Sequence, residues 1–159
     1  MAAVCLLLSA FSLLSACSPP IDLKQTLQIV DMTGGWFDAG IVAGKNKLVP
    51  SITFRVKKLT DSSVRPLSLN VVFKTIKGPQ AQEDFDEIFL QTVRFDGNQT
   101  DALTVRATAG YTGDPPQTRA QMLQHSRFQD MRAVIFAKHS SSNWVELARY
   151  DIPRQLLTK

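Results

Sequence analysis

Residues 51–59 alternate with a period of two. Ile52, Phe54 and Val56 fall between Ser51, Thr53, Arg55 and Lys57, which predicts a strand with one buried and one wet face. A turn cluster follows at Thr60-Asp61-Ser62-Ser63. Leu67, Leu69, Val71 and Phe73 then alternate with Ser68, Asn70, Val72 and Lys74, so the two runs read as neighbouring antiparallel strands. Glu87–Phe95 carries the rhythm on more weakly through Ile88, Leu90 and Val93 and stops at Asp96-Gly97-Asn98. Leu103, Val105 and Ala107 alternate with Thr104, Arg106 and Thr108. Met131–His139 and Trp144–Ile152, separated by Ser140-Ser141-Ser142-Asn143, read as a terminal hairpin. Gln25–Val30 and Trp36–Val42 are two earlier strands, the second entered through Gly34-Gly35.

One segment departs from this pattern. Asp114-Pro115-Pro116-Gln117 offers an N-cap, a proline at the first helical position and a Gln three residues on. With Ala120, Leu123 and Phe128 on one stripe, it predicts a short helix near 115–125 that closes one end of the core. Seven to eight short strands with turns about every ten residues then predict an antiparallel β-sandwich. A single helical segment argues against a parallel βα sheet.

The N-terminus follows another rule. Residues 1–16 are apolar or small, and no charge occurs before Asp22. The run is shorter than the roughly 20 apolar residues of a bilayer span and ends before Pro19-Pro20, as a secretory signal does. The usual positive n-region is missing, so the true start is expected a few codons upstream.

Composition narrows the function classes. With 44% hydrophobic and 20% charged residues, one soluble globular domain is expected, and collagen, low complexity and a polytopic membrane protein are excluded. The net charge of +4 and pI of about 9.3 come from dispersed cations, so no nucleic-acid partner is expected. Of the two cysteines, Cys5 leaves with the signal. Only Cys17 remains, so no disulfide pair is available.

Candidate chemistry is sparse. Gly40-Ile41-Val42-Ala43-Gly44-Lys45-Asn46 has three residues between its glycines and Asn after the Lys, where a phosphate loop needs four and Ser or Thr. It reads as a strand connection, with Gly44-Lys45-Asn46-Lys47 as a polar turn. Glu83-Asp84-Phe85-Asp86-Glu87 concentrates four carboxylates but lacks the ligand ladder and Gly of a calcium loop. On a regular strand, Asp84 and Asp86 would share one side about 7 Å apart, a spacing compatible with acid and base. The alternative reading is therefore an envelope hydrolase or carbohydrate-acting enzyme using the 83–87 cluster or His139. His125 and His139 have no ligand-spaced partners, so no metal site and no cofactor are expected. His125 suits the C-terminal end of the short helix. Asn98-Gln99-Thr100 matches a glycosylation acceptor, a three-residue pattern read as a coincidence. Trp36, Phe37, Tyr111, Trp144 and Tyr150 are the large amphipathic rings. Gly34-Gly35-Trp36-Phe37 and Gly110-Tyr111-Thr112-Gly113 lie at loop edges, so Trp36, Phe37 and Tyr111 are the candidate partner-binding residues.

Leu14-Ser15-Ala16-Cys17 resembles the bacterial lipobox, at the right distance from an apolar run. The resemblance implies cleavage before Cys17, lipidation of its sulfur and, with Ser18 rather than Asp next, export to the outer membrane. The organisation expected is then a signal peptide over 1–16, a lipidated Cys and stiff tether over 17–22, and one sandwich domain over 23–159. Val49–Gly78 resembles the small sandwich domains of the FxLYD and other immunoglobulin-like envelope families in its strand, turn, strand pattern. The FxLYD run itself is absent, with Leu147-Ala148-Arg149-Tyr150-Asp151 a distant echo. Gly35–Gly40 and Arg154–Leu157 are similar to segments shared by a group of bacterial lipoproteins. These resemblances imply an immunoglobulin-like fold, a membrane contact through the lipid and an envelope protein partner. They supply no catalytic residue, so the function expected is a non-enzymatic binding or scaffold module, as in an accessory subunit of an envelope assembly.

Overall fold

The computed structural model describes residues 21–61, 63–77 and 82–157. Among them, nine strands form two sheets around one core, a mostly β, immunoglobulin-like sandwich. In the first sheet β1 (Leu27–Val42) lies between β2 (Lys45–Lys58) and β9 (Leu156–Leu157). The far edge of β2 carries β5 (Leu103–Arg106) and β6 (Tyr111–Gly113). The second sheet runs β4 (Gln82–Leu90), β3 (Leu67–Ile76), β7 (Asp130–His139), β8 (Val145–Ile152). Only the β1–β9 pairing is parallel among these strands.

Alternation decides the core. Leu48, Ile52, Phe54 and Val56 of β2 face Leu67, Leu69, Val71 and Phe73 of β3 and Met131, Ala133 and Ile135 of β7, all buried. Each large side chain among them contributes about 1.5–3 kcal/mol by leaving water.

The structure departs from the sequence reading where local irregularities reset the strands. The two expected strands over Gln25–Val30 and Trp36–Val42 are one strand of 16 residues. Its register slips between Val30 and Thr33 and between Asp38 and Ile41, with Asp31 (φ 54°) and Gly40 (φ 83°) inside the slips. Such bulges bend a strand without ending it. Residues 23–26 form instead a four-residue helix, α1 (Leu23–Thr26), capped by the Asp22 carboxylate.

The β1–β2 turn is Ala43-Gly44, both at positive φ (50° and 79°), a two-residue type I′ connection. Lys45, Asn46 and Lys47 therefore belong to β2 and not to the turn. Nor are β2 and β3 neighbours. Between Lys58 and Leu67 the chain passes from one sheet to the other, and Val64 is buried on the way. The third run is β4, ending at Leu90, and Val93 and Phe95 are buried from a loop.

The helix is shorter and later than expected. Pro115-Pro116 lies in the turn before it, and Thr118 with Gln121 makes a reciprocal capping box on α2 (Arg119–Gln124). Met122 and Leu123 are its buried residues, while Ala120 is exposed.

These pairings give the sandwich two distinct ends. At one end Leu27 pairs with Lys58 and Leu67 with His139. Leu59 N–H donates to the Thr26 carbonyl, and α1 packs against β7 and β8. At the other end lie the Ala43-Gly44 turn, β6, α2 and β9.

Candidate functional site

The acidic cluster is divided between the two faces of its sheet. A register slip follows Phe73, so Asp86 pairs with Phe73 while Asp84 pairs with Lys74. Adjacent residues of β3 point to opposite faces, and Phe73 is in the core. Asp84 and Asp86 therefore do not share a side, which corrects the spacing expected from a regular strand. Phe85, the extra residue of the bulge, packs against the core.

Each of the four carboxylates has a different partner. Glu83 and Asp84 make ion pairs with Lys77 and Lys74, and Glu87 accepts from the Asn70 amide. Asp86 reaches across to the β5–β6 connection. It accepts from Ala109 N–H at 2.9 Å and from the Thr108 hydroxyl at 2.8 Å, and also from Thr108 N–H. Its second oxygen accepts from Glu87 N–H at 2.8 Å. Burial alone would raise its pKa, but the donors of Ala109, Thr108 and Glu87 outweigh burial and hold it below the ordinary carboxylate value. Asp86 is thus a staple between the sheets.

The three aromatic candidates separate by burial. Trp36 has no exposed surface and its ring meets Phe128 and Tyr111 edge-on, with centroids at 4.4 and 6.0 Å. It is core and offers nothing to a partner. Its indole N–H is buried without a hydrogen-bond partner. Phe37, on the outer face, is half-buried under the Arg106 guanidinium, 3.7 Å from the ring centroid. Tyr111 is half-buried, and its hydroxyl donates to the Arg127 carbonyl and accepts from Gln129 N–H, both at 2.7 Å. That hydroxyl holds the segment after α2 in place.

A hollow of about 380 Å³ opens beside Tyr111, between Gly113, Gln117, Met122, His125 and Arg127. Ion pairs fasten this end: Asp38 with Arg119 at 3.0 Å, Lys45 with Asp114 at 3.2 Å and Asp130 with Arg154 at 2.7 Å. Arg154 also donates to the Phe128 carbonyl and lies over the Phe128 ring. Its hydrogen bond to Asp130 raises its pKa further. The two segments Gly35–Gly40 and Arg154–Leu157 meet here: Trp36 N–H donates to the Gln155 carbonyl at 2.7 Å, and a Cβ on Gly35 would lie 2.7 Å from that oxygen. Only glycine admits this approach.

His139 lies at the opposite end, its ring nitrogen 3.3 Å from the Arg65 carbonyl, and His125 follows α2 as its C-cap. Among the described residues no three His, Cys, Asp or Glu side chains gather to hold a metal ion, and no helix is long and apolar enough to cross a membrane. Cys17 lies outside the described residues.

Sequence reasoning missed one surface. Phe89 and Trp144 are exposed, 52% and 39%, and their rings lie 5.9 Å apart with Lys138 over Trp144. The signal was present: Ile88 and Leu90 take the inner face of β4, so Phe89 must take the outer one. In comparison with known proteins, the chain matches no family model, no curated protein and no solved structure.

Proposed function

We propose that this is a lipid-anchored envelope protein that acts by binding, a non-enzymatic recognition or scaffold module held by the lipid on Cys17 and turned toward the periplasm. The lipobox Leu14-Ser15-Ala16-Cys17 supports the anchor. The observation that carries the binding role is the opposition of the two ends. The described chain begins at Ile21, beside α1, whereas the β1–β2 tip at the far end exposes Ile41 by 67% and Val42 by 45%. Ile41 and Val42 are the last two residues of β1 before the Ala43-Gly44 turn, so the tip offers one bare branched side chain to each face, and these are the contacts assigned to a protein partner. Confinement to a membrane raises the effective concentration of any partner anchored beside it.

Two measurements test this. The mass of the native N-terminus should show residues 1–16 removed and acyl chains on Cys17, and Cys17→Ala should move the protein to the soluble fraction. An unmodified N-terminus removes the anchor. A photo-crosslinker at Ile41 should capture one envelope protein reproducibly, and Val42→Asp should abolish the adduct. Equal labelling from a probe at exposed Asp101 would remove the tip as the contact.

A further inference from the structure

We propose that the α1 end of the sandwich is a seat for an anionic lipid surface, with Trp144 and Phe89 at the headgroup level and Lys138, Arg65 and Arg94 among the phosphates. This rests on the lipid anchor proposed above, because the anchor decides which end of the sandwich meets the bilayer. Cys17 precedes Ile21 by four residues. Four residues reach at most about 14 Å, however they run. The 16 residues of β1, by contrast, carry the chain away from that end by roughly 50 Å before the tip. A lipid on Cys17 therefore holds the α1 end at the membrane.

That end has the chemistry of an interfacial surface. Three large apolar side chains are bare there: Leu59 (51%), Phe89 and Trp144. The Phe89–Trp144 pair borders a hollow of about 350 Å³ that also touches Lys138 and Ser140. A second hollow, of about 490 Å³, lies between Leu67, Val93 and Phe95 and is rimmed by Arg65 and Arg94. Aromatic rings with a polar edge concentrate at the level of lipid headgroups.

Ion pairing is denser at the far end, although Lys47 and Arg127 there are also without a carboxylate among the described residues. At the far end Lys45, Lys77, Arg119, Arg132 and Arg154 are each paired with a carboxylate. Lys57, Lys58, Arg65, Arg94 and Lys138, all at the α1 end, make no ion pair among the described residues. The carboxylates nearby are Asp22, which caps α1, Glu146, which pairs with Arg149, and the exposed Asp61, Asp96 and Asp101. Cations without a carboxylate partner are available to lipid phosphates, and the attraction is screened by salt.

The test uses the purified full chain, its N-terminal mass measured first, mixed with vesicles of brominated phosphatidylcholine with or without 30% phosphatidylglycerol. Only two tryptophans are present, and Trp36 is fully buried. Tryptophan quenching should therefore report Trp144 and vanish in Trp144→Phe. The expected result is strong quenching on the anionic vesicles, weak quenching on the neutral ones and loss in high salt. Removing charge at this end with Lys138→Gln or Arg94→Gln should lower the ratio of seated to unseated protein, read from Trp144 quenching on anionic vesicles, roughly fivefold per charge, and Arg127→Gln at the far end should leave it unchanged. Equal quenching on both vesicle types, or indifference to Lys138→Gln and Arg94→Gln, overturns the proposal. So does a Trp144 response to a soluble neutral oligosaccharide with none to vesicles, which would make the ring pair a sugar platform. An N-terminus without lipid removes the anchor independently. Selective quenching on anionic vesicles would then still uphold the seat, and its absence would remove that too.

Discussion

Asp86 shows how a charged side chain becomes structural. A carboxylate on the inner side of a sandwich is unfavourable unless donors meet it, and the Thr108–Ala109 backbone provides them. Asp86→Ala should destabilise the fold by about 1 kcal/mol, the net worth of hydrogen bonds at a half-exposed site, read as a lower denaturation midpoint. The pH dependence has a definite sign. Because the folded pKa lies below the ordinary 3.8, the contribution is complete above that value and is lost as the pH falls through the folded one. The variant's stability should therefore decline less steeply than that of the natural protein below about pH 4. None of this was legible in Glu83–Glu87, because the slip after Phe73 reverses the side on which Asp84 lies. Trp36 was legible only in part. A bulky ring after two glycines suits a loop edge and a crowded core equally well, and the partner that decides, Gln155, is more than a hundred residues away in the chain.

At the scale of elements, the β1–β2 turn is only half suited by its sequence. Type I′ needs positive φ at both central residues. Gly44 accepts that freely, whereas Ala43 at φ 50° meets the clash of its Cβ with the backbone. Ala43→Gly or Ala43→Asn should thus raise stability by about 0.5–1 kcal/mol, after the entropy of the more flexible unfolded chain is set against the relieved strain. Thermal unfolding would show it. On α2 the capping box of Thr118 and Gln121 supplies the first turn. Thr118→Ala should cost about 1 kcal/mol and speed hydrogen exchange over Arg119–Gln124. The strands of clear alternation, β2 and β3, were readable because one face of each is core. β6 and β9 were not, since three and two residues carry no period and exist only through their pairing to β2 and β1.

On the scale of the whole molecule, the sandwich class followed from counting alternating runs, and the sheet partners did not. Pattern records which residues face inward but not across which gap. The passage between Lys58 and Leu67 sends β3 away from β2, and nothing in Thr60-Asp61-Ser62-Ser63 distinguishes a crossing from a hairpin. The two ends were likewise invisible, being a product of pairing. The aromatic knot of Trp36, Tyr111 and Phe128 closes the far end, and Arg154 clamps the C-terminal segment on it. Trp36→Ala should cost about 3–5 kcal/mol, the usual range for emptying such a site, and should release β9 and α2 together. That joint loss would register as exchange of the amides of both segments at one rate.

The uninterrupted course of β1 also has a mechanical meaning. One covalent backbone links the α1 end to the tip, and the hydrogen bonds it shares with β2 stand perpendicular to the strand. A pull between a tethered base and a gripped tip therefore travels along bonded atoms. The ladder to β2 carries little of it, since its hydrogen bonds stand across the line of force. Tethered at one end and gripped at the other, the body would behave under tension as a short stiff strut.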